Sequence, residues 1–229
     1  MNRPTRPRRD PESTRAAILE AAKRVLAREG REGLSVSAVA KQAGVDRGTV
    51  HRHFQGKEEL LRATLDWVGR QLLQAVYGPE EAPFGGRIEG PLTQAHLPRV
   101  IRGMAEFNVR LAEFAVDNPE IGRIWLFDVL SRENPQEDAF YHRFLRGLEQ
   151  LAASEVAERN IDVEVLAVLM LTAYFMWPVW VGAHAKGPRA RRQMARRFAG
   201  EVLRLSMHGV LRADSHALLQ DYVRRNLAP

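Results

Sequence analysis

Apolar residues return every three or four positions along most of the chain, and no stretch alternates strictly between apolar and polar. This periodicity predicts an all-α protein, with no repeat of 20–50 residues laid over it. The first predicted helix runs from about Glu12 to Arg28, with Ile18, Leu19, Ala22, Val25 and Leu26 on one face and Gly30 beyond its end. A second begins near Ser35 and stops before Gly44, and a third runs from Asp46 to about His53. Ser and Asp suit these starts because their side chains accept from the first unpaired helical N–H groups. A fourth helix spans Lys57 to about Tyr77. Gly78 to Gln94 then breaks the pattern with Pro79, Pro83, Gly85, Gly86, Gly90 and Pro91, and reads as a linker. Beyond it, helices are predicted over about 96–117, 119–131, 136–159, 162–185, 189–212 and 214–226, with Asn118-Pro119 and Asn134-Pro135 as punctuation. The predicted organisation is a basic arm (1–11), a small helical domain (12–77), a linker (78–94) and a larger helical domain (95–229).

Within the small domain, residues 36–55 read VSAVAKQAGVDRGTVHRHFQ. Ala40 is small where two helices would cross closely. Gly44 sits where the turn needs a left-handed backbone, and Val39, Ala43, Val45 and Val50 are placed to lock one helix on the other. A small residue, a glycine four later and a branched apolar residue six beyond that is the spacing of a helix-turn-helix. The second helix of such a unit presents its polar face to DNA. Arg47, Gly48, Thr49, His51 and Arg52 make up that predicted face, Arg47 being suited to a bidentate contact with guanine. Thr49 and Lys57 suit phosphates, and Ser37 could reach either phosphate or base.

The charge distribution agrees with this. Residues 1–77 hold 15 Lys+Arg against 9 Asp+Glu, whereas 78–229 hold 19 of each, so the net +6 belongs entirely to the N-terminal third. A polyanion-binding module joined to a neutral domain has this pattern. Arg outnumbers Lys 30 to 4, a bias that a GC-rich coding sequence also produces, so Arg content alone is no recognition signal. The basic arm with Arg3, Arg6, Arg8 and Arg9 could add phosphate or minor-groove contacts.

Other features narrow the function by exclusion. The chain has no cysteine, which removes disulfides, thiolate metal sites and thiol catalysis. His51 and His53, two apart on a helix, point about 200° apart and cannot chelate one metal together. Asp214-Ser215-His216 lie too close in sequence to form a nucleophile–base–orienter chain, and no nucleophile elbow is present. Gly85-Gly86 to Gly90 lacks the Lys and hydroxyl of a phosphate loop. No enzyme chemistry and no cofactor are therefore expected. Val165 to Ala185 carries no charge and is long enough to span a bilayer, but Thr172, Tyr174, Pro178 and His184 interrupt it. A buried, oligomer-forming helix is the expectation there, not a membrane span, and a cytoplasmic protein overall. Arg189, Arg191, Arg192, Arg196 and Arg197 form a second basic cluster, read as a solvated helix face with an anionic ligand or partner as the alternative.

The run from Thr14 to Leu61 resembles the N-terminal domain of TetR-family regulators. The likeness rests on Ile18-Leu19, Ala21-Ala22, Gly30, Val39-Ala40, Ala43-Gly44-Val45, Thr49-Val50, His53-Phe54, Lys57 and Leu60-Leu61, and covers about a fifth of the chain. His51 departs from it, because the family usually has a DNA-contacting Tyr there. The resemblance implies a homodimer with a ligand-binding C-terminal domain, most often a repressor released by a small molecule. Pairing through 162–185 and 189–212 would then set two recognition helices on a pseudo-palindromic operator in double-stranded DNA. Phe107, Phe114, Trp125, Met170, Tyr174 and Trp177 are candidates to line an apolar effector cavity. The competing expectation is a DNA-binding adaptor or architectural protein whose C-terminal domain only dimerises or binds another protein.

Overall fold

The computed structural model describes residues 10–78, 94–213 and 216–227. The basic arm through Arg9, most of the 78–94 linker, and Asp214 and Ser215 lie outside them. The fold is all-α, as the periodicity predicts. Among the described residues ten helices follow in order: α1 (Pro11–Gly33), α2 (Val36–Ala43), α3 (Arg47–His53), α4 (Lys57–Tyr77), α5 (Leu97–Asp117), α6 (Pro119–Leu130), α7 (Ala139–Ala152), α8 (Val163–His184), α9 (Pro188–Gly209) and α10 (His216–Asn226). They form two compact units, Met1–Arg70 and Gln71–Pro229. The division falls inside α4.

In the N-terminal unit α1 runs past its predicted end. Asp10 caps it, accepting from the Ser13 N–H, and Gly30 interrupts it with φ 68° and ψ −169° before a last turn. Ile18, Leu19, Ala22, Val25 and Leu26 of the predicted stripe are buried, as are Leu34, Val39, Ala40, Val50, Phe54 and Leu60 in the same unit, and α1 packs on α2. Two cations complete this core by lying on aromatic faces. The Arg15 guanidinium stands 4.6 Å from the Phe54 ring centre, and buried Lys23 pairs with Glu20 at 3.0 Å while lying 5.7 Å from the Trp67 ring.

In the C-terminal unit α5 packs along α9. Val100, Ile101, Met104 and Ala105 of α5 join Leu203 and Met207 of α9, with Val156, Leu211 and Leu219 closing the cluster. A chain of rings runs beside it: Tyr77 to Phe107 (5.2 Å), Phe107 to Phe144 (6.0 Å), and Trp125 to Phe140 (5.7 Å) and Phe175 (4.7 Å).

Two expectations need correction. The helix predicted over 136–159 is shorter. Asp138 starts it by accepting from the Phe140 and Tyr141 N–H groups, and it ends at Ala152. Residues 156–158 then pair with the chain after α9 (Glu158 N–H to Val210 O, 2.8 Å; Arg212 N–H to Val156 O, 3.0 Å), so their backbone groups are satisfied outside a helix. Helix α8, charged only at Glu164 in its first turn, is also not buried all round. Ala167, Leu171, Tyr174, Phe175, Pro178 and Val181 are buried, whereas Val165, Val168, Leu169, Met176, Val179 and Trp180 are exposed. By length and composition alone α8 could cross a membrane; one face of it packs inside a helical unit.

Candidate functional site

The turn between α2 and α3 is a Schellman motif. Gly44 has φ 67° and ψ 34°, its N–H donates to Lys41 O, and the Val45 N–H reaches back to Ala40 O at 3.1 Å. These bonds satisfy the last carbonyls of α2 and fix the angle at which the chain leaves it. α2 opens on Ser35, whose Oγ accepts from the Ala38 N–H at 3.1 Å. The next helix opens on a tighter cap. The Asp46 carboxylate accepts from the Thr49 N–H (2.7 Å) and the Thr49 hydroxyl (2.6 Å), and Thr49 Oγ1 accepts in turn from Arg52 Nη2 (2.7 Å). The Thr49 bonds hold the Asp46 carboxyl below its ordinary range, with Arg52 adding a smaller effect of the same sign.

That cap sorts the predicted recognition residues. Arg47, Gly48, His51 and Arg52 are exposed on α3, and Ser37 is exposed on α2. Lys57 is half-buried at the start of α4. Thr49 is buried, and its hydroxyl proton is engaged by Asp46, so this side chain belongs to the scaffold of α3 as the structure stands. The guanidinium of Arg52, though exposed, is tethered to Thr49. Arg47, Gly48 and His51 are left as an exposed strip. The Asp46–Thr49–Arg52 chain was not anticipated, although an Asp three residues before a Thr at a helix start is its sequence signal.

The C-terminal unit places the candidate effector residues less uniformly. Met104, Phe107, Asn108, Phe144, Leu148, Leu151, Leu166, Met170, Ser206 and Val210 line a cavity of about 10 Å³, room for a single water. Phe107 and Met170 are among the predicted lining. Tyr174 reaches the cavity wall through Asn108: its buried hydroxyl donates to Asn108 Oδ1, while Asn108 Nδ2 donates to Met104 O at 2.7 Å. Burial pushes the Tyr174 phenol far above its usual range. Phe114, Trp125 and Trp177 lie elsewhere. Phe114 is half-buried on α5; Trp125 donates to Asp138 Oδ1 at 2.9 Å; Trp177 stacks on Phe198 and donates to Met194 O. Asn108 escaped sequence reasoning, although an Asn within the apolar stripe of α5 was the available signal.

A small helical unit with this turn, ahead of a larger helical unit, is the plan of a helix-turn-helix regulator. Residues 18–64 match the model for bacterial regulatory proteins of the tetR family. The chain is 39% identical over 61 residues to the regulator TtgR of Pseudomonas putida, spanning 27% of this chain and 29% of that protein. It is 38% identical over 72 residues to the repressor Rv3405c of Mycobacterium tuberculosis, 31% and 37% of the two chains. The match thus spans about a third of the length of these curated relatives. Likeness of fold extends much further. A solved gamma-butyrolactone receptor aligns with TM-score 0.58 at 20% identity, covering 94% of this chain and 99% of that one. A TetR-family regulator of Haemophilus influenzae aligns with TM-score 0.58 at 18% identity, covering 90% and 100%.

Proposed function

We propose that the protein is a dimeric, ligand-responsive DNA-binding regulator, acting as a repressor at a pseudo-palindromic operator. One observation carries the DNA-binding part: the Gly44 turn holds α3 with Arg47, Gly48 and His51 exposed along it. Arg47 reads a guanine in the major groove, and Lys57 holds a phosphate. Two copies joined through α8 and α9 set their α3 helices about one DNA turn, roughly 34 Å, apart. A small apolar or amphipathic molecule that binds the C-terminal unit better in a state with the wrong spacing lowers operator affinity by linkage. The fold shared with a gamma-butyrolactone receptor supports a C-terminal unit of this kind. Such a protein works in the cytoplasm.

One observation favours the adaptor reading, in which the C-terminal unit only dimerises or binds a protein: the cavity around Asn108 holds no more than a water. An effector must therefore open this core, and Phe107, Met170 and Tyr174 are the side chains that would move.

The test is a gel shift on the gene's own upstream DNA across a salt series. A sequence-preferring complex weakened by salt is expected. Arg47→Ala should relax preference at one base pair and cost about 1–3 kcal/mol. Lys57→Ala should weaken binding to all sequences alike and flatten the salt slope. Absence of any sequence-preferring complex overturns the reading; uniform losses in both variants overturn the roles given to the two residues.

A further inference from the structure

The described residues leave ten large apolar side chains exposed, and seven of them belong to α8 and α9. Such a patch needs a cover. The part on α8 has a symmetry of its own. Val165 and Leu169 stand at one end, Met176 and Trp180 at the other, and the small Thr172 and Ala173, both exposed, lie between. In a two-fold contact each residue recurs on both sides of the axis. An axis between Thr172 and Ala173 sets Val165 against Trp180 and Leu169 against Met176, sets Val168 and Val179 against the half-buried Trp177 and Leu166, and leaves the smallest side chains where the helices approach most closely.

Contacts within one chain carry that axis across to α9. Tyr174 meets Phe198 with ring centres 5.1 Å apart, and Trp177 Nε1 donates to Met194 O at 3.1 Å. Residues 172 and 173 of α8 therefore stand level with 199 and 200 of α9. Arg197 and Glu201 flank that level, one on each side. Both are exposed, and their spacing puts them on the face of α9 that also carries exposed Leu205 and His208.

We propose that a second copy of the chain covers this face in antiparallel register, with Arg197 of each copy against Glu201 of the other. The inference rests on the dimer reading above and adds its register. The occupant is a second copy because the surface is complementary to itself, in apolar shape along α8 and in charge along α9. The two reciprocal ion pairs contribute little affinity near solvent. Their effect is selective: a slipped or parallel pairing loses them and sets like charges together.

Sedimentation of the full-length protein over a concentration series, with two single variants, tests this. Arg197→Glu sets carboxylates against each other at both sites, and Glu201→Arg sets guanidiniums against each other. Each should raise the dimer dissociation constant about tenfold or more. Mixing the two variants restores opposite charges at both sites, so the heterodimer should exceed the statistical half. The variant carrying both substitutions should pair with itself as the wild type does. Changes within one α9 helix, including loss of the Glu201–Arg204 pair, cannot produce selective mixing. A wild type that stays monomeric overturns the dimer reading and the register together. A dimeric wild type whose single variants pair equally tightly and mix at random overturns the register alone.

Discussion

Gly44→Ala is a sign test of the helix-turn-helix geometry. An added Cβ at Gly44 meets no atom within 4 Å, so the substitution introduces no clash. What remains is backbone energy. At φ 67° an L-residue is disfavoured by about 1–2 kcal/mol. Alanine also narrows the unfolded ensemble, which at a compatible site stabilises by about 0.4–1 kcal/mol. The left-handed penalty is the larger, leaving a net loss of about 1 kcal/mol, or roughly fivefold in the local opening equilibrium. Amide hydrogen exchange of the full chain, read by mass spectrometry, measures it. Peptides from Val36–His53 should exchange about five times faster, while those of α5 and α9 keep wild-type rates. Gly44→Asn should lose less, since Asn tolerates this region better. The same Ala variant should bind DNA more weakly, because the turn sets the direction of α3. Slower exchange in Gly44→Ala would mean that the turn does not require a left-handed residue, and the Schellman argument would fall with it.

Three further outcomes are expected. Tyr174→Phe strands Asn108 Oδ1 in the core and Asn108→Leu strands the Tyr174 hydroxyl, each costing about 1–3 kcal/mol; in urea titrations at one protein concentration the double variant should lose clearly less than the sum, and simple additivity would deny the pairing. Gly122→Ala brings a Cβ to 2.6 Å from Phe175 Cδ1, an overpacking that should cost about 1–3 kcal/mol; Phe175→Leu in the same chain should recover part of the lost melting temperature, and an unchanged melting temperature in Gly122→Ala would refute the close contact. The Asp46 carboxyl is held below its unfolded value, about 3.9, so its cap stabilises α3 fully above that value and is lost as pH falls through the lower folded value. Exchange of α3 amides, corrected for intrinsic rate, should therefore accelerate in that acid range, and Asp46→Asn, which can cap without titrating, should flatten the change.

The features legible in the sequence are those set by near neighbours. Gly44 between apolar positions, and Ser35 and Asp46 at helix starts, placed α2, the turn and α3 to within a residue or two, because caps and left-handed turns are local chemistry. The end of α7 was not legible, since residues 156–158 leave the helix to pair with residues far along the chain. Thr49 looked like a surface hydroxyl because periodicity gives a face and says nothing of whether a neighbour already holds the group. The aromatics of the larger unit fared in the same way. Phe107 and Met170 meet at one cavity while Trp125 and Trp177 are engaged by Asp138 and Met194, and helical spacing alone could not separate those fates. Exposure of half of α8 was hidden as well, because a helix apolar on every side shows no preferred face in its sequence.

The arrangement around Asp46 divides α3 lengthwise into positions that hold the helix and positions that do not. Thr49 and Val50 are buried and anchor it, and Arg52 is tied to that anchor; Gly48 is exposed, but a Cβ there would come within 3.1 Å of the capping Asp46 Oδ1, whereas Arg47 and His51 face outward with no part in the cap or the core. Variation at 47 and 51 is thus nearly free of folding cost, while variation at 49 is taxed at once. A lineage, or a selection experiment, could rewrite the outward letters of this helix one at a time without ever passing through an unfolded protein. His51 stands at one of the positions left open to change.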